Sequence, residues 1–271
     1  MKKYNKILMM IVSVLLTLVL LTSSVVSSTF AKYVITKSAS TEVTFTKYNL
    51  TVNLAVNGAT ESANPTKKGD SISYTYNAVM LKPGDNYSNL IEASIKSADN
   101  KKAVVKSYIT ITVDVSNIRA TDATNNTNPF KVPKAYFTTL GIDEDKAYLP
   151  LKVYVGGASV QDAYQSYAYD VANIESALEK VIGEGILEKL KGKTGLSDQK
   201  YERVATASDA TKNMAKVTAT IGTTSAIPEL SGLGCGFEWP KGLGTPNDEI
   251  GTWIAKTQPT FDLMYTITVS Q

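Results

Sequence analysis

The sequence predicts a mainly β protein, an antiparallel β-sandwich of jelly-roll type with a partly helical insertion at about residues 130–200. Apolar and polar residues alternate at a period of two in several separated stretches, the last of which sets Phe261, Leu263, Tyr265, Ile267 and Val269 on one face. Turn formers such as Leu81-Lys-Pro-Gly-Asp85 punctuate the stretches. Within the insertion the apolar spacing widens to three and four residues before β patterning resumes.

The chain opens on an export signal. Lys2, Lys3 and Lys6 precede an apolar run from Ile7 to Leu21, and small residues then lead to Ala31. A cationic start, an apolar core too short for an unaided span and small residues before the cut predict a secretory signal peptide over residues 1–31, cleaved between Ala31 and Lys32. The competing reading is an uncleaved anchor, in which case the signal peptide ties the chain to the membrane. Either reading puts the bulk of the protein outside the cytoplasm, with residues 32–271 as a single domain. That domain begins with an arm to which Tyr33, Val34, Ile35, Val43 and Phe45 give strand character. Such an arm either pairs within its own sheet or adds to the open edge of a neighbour.

The remaining elements follow in order. Tyr48, Leu50, Val52, Leu54 and Val56 alternate as a half-buried strand, and Ile72, Tyr74, Tyr76 and Ala78 as another. Pro83 and Gly84 suit the two central positions of a type II turn over residues 82–85, after which Ile91, Ala93 and Ile95 mark a third strand. A tight turn over residues 99–102 leads to the clearest alternation in the chain, with Ser107, Ile109, Ile111, Val113 and Val115 on one face. Leu151, Val153 and Val155 make a short strand that Gly156 and Gly157 stop. Tyr164, Tyr167, Val171, Ile174, Leu178 and Val181 then predict an amphipathic helix from Ser159, as N-cap, to Gly183, as C′ residue, with a second short helix over residues 186–190. Weaker strands are expected at residues 200–206 and 216–221. The Gly/Pro-rich passage 232–246 reads as a long loop anchored by Phe237 and Trp239.

Composition excludes several functions. The chain holds 28 Lys and Arg against 25 Asp and Glu, and removing Lys2, Lys3 and Lys6 leaves a balanced mature surface with no electrostatic footprint for nucleic acid. Cys235 is the sole cysteine, so no internal disulfide forms; a buried small hydrophobe and an intermolecular bridge are its two readings. Histidine is absent, which removes His-based zinc catalysis and both Ser-His-Asp and Cys-His arrangements. No catalytic constellation and no cofactor motif stands out. The densest carboxylate groups, Asp143-Glu144-Asp145 and Asp248-Glu249, lack the spaced ligands and glycine of a calcium loop; they read as solvated loop charge, with a weak cation site as the alternative. The chain's 15 tyrosines are assigned to packing on half-buried β surfaces ahead of carbohydrate or base stacking.

Several of these pieces together resemble the TasA and camelysin family of exported bacterial proteins. Ser28-Thr-Phe-Ala-Lys-Tyr-Val34 is similar to the junction cut by that family's dedicated signal peptidase, and Leu81-Lys-Pro-Gly-Asp85 resembles its turn at the same place in the strand order. Trp239-Pro, Asp248-Glu-Ile-Gly-Thr-Trp253 and the final strand resemble the ending of many members. The resemblance implies a secreted jelly roll with a helical insertion that assembles into extracellular fibres of a biofilm matrix, the freed arm completing the sheet of the next subunit. The expected partners are therefore copies of the same chain and, during export, a signal peptidase. A monomeric secreted or cell-surface binding protein is the second reading and an exported hydrolase the third.

Overall fold

The cleanest alternation in the sequence lies at the centre of the molecule. In the computed structural model the chain divides into two units, residues 1–37 and 38–271, and the second holds every described residue: 39–57, 65–121, 128–131, 134–141, 146–161, 168–206, 209–222 and 225–271. β1 (Ala39–Phe45) and β2 (Leu50–Val56) are joined by a 3-10 turn (Thr46–Tyr48), followed by β3 (Thr66–Lys68), β4 (Ser71–Met80), β5 (Asn86–Tyr87), β6 (Ile91–Ser97) and β7 (Ser107–Ala120). The insertion supplies α1 (Lys134–Leu140), β8 (Lys146–Tyr148), β9 (Lys152–Val155), β10 (Ala158–Gln161), β11 (Ala168–Asp170) and α2 (Ile174–Leu190). β12 (Leu196–Thr206), β13 (Asp209–Ile221), β14 (Cys235–Glu238), α3 (Asn247–Lys256) and β15 (Pro259–Ser270) complete the chain.

The fold is a mainly β, antiparallel sandwich with a helical insertion. One layer is a six-stranded sheet in the order β12-β13-β7-β15-β4-β3. The other is built from β1-β2-β6 and β10-β9-β14-β5, stitched together where residues 230–234 run beside β6. Leu230 exchanges backbone hydrogen bonds with Ile95, and Leu233 N–H donates to Ala93 O. The layers thus hold β4-β15-β7-β13 and β6-β14-β9-β10, and the chain crosses between them in the manner of a jelly roll. Alternation fills the space between the layers. Ile109, Ile111, Val113 and Val115 of β7 are buried in one core with Leu50, Val52, Leu54 and Val56 of β2 and Leu263, Tyr265 and Ile267 of β15, as a period of two requires.

One feature bends the large sheet. On both sides of β15, at residues 260–263, the neighbouring strand carries an extra residue. Ala78 in β4 and Asn117 in β7 sit there with φ of 55°. Asp262 pins both: its Oδ1 accepts the Ala78 N–H at 2.7 Å and the Arg119 guanidinium at 3.3 Å, and its Oδ2 accepts the Asn117 amide at 2.8 Å. The bulge also corrects an expectation. Ala78 is exposed instead of facing the core, because the extra residue shifts the phase and Val79 becomes the buried position.

Three further expectations change. Gly156 and Gly157, with φ of 58° and 73°, turn β9 into the antiparallel β10, so Ser159 lies in a strand and the helix begins at Ile174. Both residues at positive φ give a turn whose twist matches a hairpin, and this outweighs the capping signal of Ser159. Tyr164 and Tyr167 fall outside the described residues. Gly183 is helical and interior, and α2 runs on through the expected second helix to Leu190. A Cβ on Gly183 would stand 2.9 Å from Cβ of Ala215, so the glycine serves close packing of helix on sheet and not termination. The passage expected as a long loop contains β14, a strand flanked by β9 and β5, in which Cys235 and Phe237 are fully buried.

Elsewhere the structure follows the pattern. Asp85 N–H donates to Lys82 O at 2.9 Å with Gly84 at φ 95°, as a type II turn requires, and Lys102 N–H closes the turn on Asp99 O. The Tyr265 hydroxyl crosses the core to donate to the Leu233 carbonyl at 2.5 Å, and Phe237 meets Phe261 edge to face at 5.2 Å.

Candidate functional site

The surface on which the expected assembly turns is the side of the sandwich where β1 edges one layer and β3 and β4 edge the other. The two edges are neighbours: Lys67 Nζ of β3 lies 5.3 Å from the ring centre of Phe45, and the Tyr48 hydroxyl donates to Asp70 Oδ2 at 3.2 Å. β1 pairs with β2 along its whole length, from Ala39 opposite Val56 to Phe45 opposite Leu50. β3 pairs with only three residues of β4, Ser71, Ile72 and Ser73. Among the described residues no strand pairs with the outer edge of β4 over residues 77–80. That edge carries Met80, 38% exposed, and it offers a row of backbone N–H and C=O groups to an incoming strand. Lys67 and Lys68, both exposed, flank it with charge.

The residues singled out in the sequence distribute unevenly around this side. Ala31, Lys32, Tyr33, Val34 and Ile35 lie outside the described residues. Val43 and Phe45 do not belong to a free arm in the single chain. They are buried, 6% and 4% exposed, in the hairpin of β1 with β2, because their alternation fills their own chain's core. Any donated segment therefore ends before Ala39. Asp143, Glu144 and Asp145 also lie outside the described residues. Asp248 and Glu249 occupy the first turn of α3 and not a loop, and both Asp248 oxygens are already engaged: Oδ1 accepts the Leu243 N–H at 3.1 Å and Oδ2 the Gly244 N–H at 2.9 Å. Acidic residues suit that helix end electrostatically. Among the described residues no group of three or more metal-ligating side chains is brought together.

Cys235 is buried as a small hydrophobe, and burial pushes its thiol up to about 12, so it stays protonated and unreactive. Tyr74 packs edge to face with Tyr76, centroids 6.1 Å apart, and burial followed by the charge of Tyr76 raises its hydroxyl above its ordinary range. These tyrosines pack the sheet.

Two carboxylates that sequence reasoning passed over stand at the opposite side. Glu175 and Glu179, one turn apart on α2, accept backbone N–H groups of β7: Ile118 N–H to Glu175 Oε1 at 3.1 Å and Val115 N–H to Glu179 Oε1 at 3.3 Å. They stand where β13 stops pairing with β7, at Val113. The signal was present: Glu179 falls inside the apolar stripe formed by Leu178 and Ile182, where a solvated charge has no place. A further recess of about 330 Å³ lies over β6 and the segment 229–234, lined by Asn53, Asn89, Glu92, Ser94 and Glu229 among others.

No family model matches the chain, and no curated protein or solved structure matches it.

Proposed function

We propose that the protein is an exported structural subunit of an extracellular filament or biofilm matrix, in which copies join head to tail by strand addition. After the signal peptide is removed, residues 32–38 pair with the open outer edge of β4 in the next copy. One observation carries this reading: among the described residues no strand pairs with the outer edge of β4 over residues 77–80, while β1 is already committed to its own hairpin. The segment preceding Ala39, with Tyr33, Val34 and Ile35 at its centre, is then the strand-forming stretch left to donate. A donor and an acceptor on different surfaces make a heterologous contact, and heterologous contacts propagate into filaments. The protein's work on this reading is mechanical and needs no cofactor. It acts outside the cell and outside any nucleic-acid pathway.

Deleting residues 32–38 from the processed protein should leave a folded monomer that does not polymerise, checked by sedimentation velocity and electron microscopy. Filaments in unchanged yield would overturn strand addition by this segment. The recess of about 330 Å³ favours a second reading, a monomeric binding protein for a polar ligand, since amides and carboxylates line it. That reading predicts that the full processed protein stays a monomer at every concentration tested.

A further inference from the structure

Beyond Val113, β7 loses its β13 neighbour on one side and takes the side chains of α2 in its place. The arrangement satisfies the strand's N–H groups but leaves one acid incompletely paired. The Glu179 side chain is 2% exposed, and its Oε2 receives no hydrogen bond. The Arg203 guanidinium of β12 stands 3.8 Å from that oxygen, beyond hydrogen-bond reach, and is one-third exposed, 34%, to water. Asp114 of β7 lines the same recess of about 180 Å³, together with Asn173, Glu175, Ser176, Arg203 and Asn213. Two ionised carboxylates lining one recess offer only acceptors. Adding one proton converts them into a donor and an acceptor and supplies the partner that Oε2 lacks.

We propose that Glu179 and Asp114 form a proton-sharing carboxyl pair that fastens α2 to the bare edge of β7 and loosens it when the proton is lost. Burial raises the Glu179 carboxyl most. The Val115 N–H opposes that rise, the Asp114 charge adds to it, and Arg203 opposes it, leaving the group at about 8. Burial prevails because the arginine is distant and solvated. The other titratable groups facing the pair are Glu175 on α2 and Tyr201 on β12, whose hydroxyl is itself raised, first by burial. The sign follows. A carboxyl whose folded value exceeds its unfolded one, 4.5, contributes its full stability below 4.5 and loses it as pH rises through about 8. The helix is thus held most firmly in acid, the hold weakens steadily from 4.5 toward about 8, and mild alkali releases it.

The test is a carbon-13 NMR titration of the side-chain carboxyls alongside thermal midpoints from pH 4 to pH 9, on the wild-type protein and Glu179→Gln. The expected results are a Glu179 carboxyl resonance titrating near 8 and a wild-type midpoint that falls across the range more steeply than that of Glu179→Gln. A Glu179 resonance titrating in the ordinary carboxylate range, or parallel midpoint curves, overturns the proposal. Asp114→Asn gives an independent check should Glu179→Gln fold poorly. Its amide donates to the Glu179 carboxylate, so the Glu179 titration should drop by more than about one pH unit. An unchanged titration counts against the pair.

Discussion

The far half of β7 is held on its two sides by the same chemical group in opposite conditions. On the β15 side, Asp262 has three donors: the Ala78 N–H, the Asn117 amide and the Arg119 guanidinium. On the α2 side, Glu179 has one, the Val115 N–H, and its second oxygen receives no hydrogen bond, with the Arg203 guanidinium 3.8 Å away. Burial pushes the Asp262 carboxyl up, but its hydrogen bonds and the Arg119 charge together hold it below its ordinary value. At Glu179 burial wins. What separates the two is the number of donors each backbone arrangement delivers. A bulge aims N–H and side-chain groups at one point, whereas a helix laid along a strand edge reaches only the N–H groups that the edge presents.

Three substitutions break or sharpen this contrast. Asp262→Ala removes the pin from both bulges and should lower unfolding stability by about 2 to 3 kcal/mol, because hydrogen bonds to charged groups are the costly ones to lose. Its effect, measured by denaturant unfolding, should be largest at neutral pH and shrink as pH falls through the depressed Asp262 value, since a lowered carboxyl gives stability only while ionised. Gly183→Ala tests whether the helix-borne acids depend on close approach. The added methyl meets Ala215 and the Tyr201 ring, so despite better helix propensity it should cost about 1 kcal/mol and speed exchange of the Val115 and Ile118 amides. Glu175→Gln is the mildest. Its amide oxygen still accepts the Ile118 N–H, so thermal unfolding should place it within about 0.5 kcal/mol of the parent.

Much of the fold was legible in the sequence where one face of a strand is wet. β6, β7 and β15 declared themselves by alternation, and Pro83-Gly84 declared the turn between β4 and β5. Legibility failed where an element is covered on both faces or is too short to show a period. β14 is four residues long, with glycine at its second position, so it carries no alternation and its Gly/Pro surroundings read as a loop. α3 passed unnoticed although Asp248 and Glu249 sit in its first turn, Lys256 in its last, and Ile250 and Ile254 on one face. There the carboxylates read as solvated loop charge and not as a helix start. The outer edge of β4 could not be read from sequence. An open edge is a property of what fails to pair with it, and Thr66–Lys68 gives no sign that β3 stops so soon. Val43 and Phe45 have the alternation of a strand whether they serve their own chain or another, which is why the arm's extent needed the register of β1 on β2.

The tyrosine tether between Tyr265 and Leu233 bears on how the molecule withstands proteases. Residues 230–239, whose glycines make them look cuttable in a bare sequence, are anchored by that hydroxyl between the layers, and Leu233, Cys235, Phe237 and Trp239 are all sealed from water. A protease that must thread an extended chain through its cleft finds no slack there, so this glycine-dense stretch is also among the least digestible of the described residues.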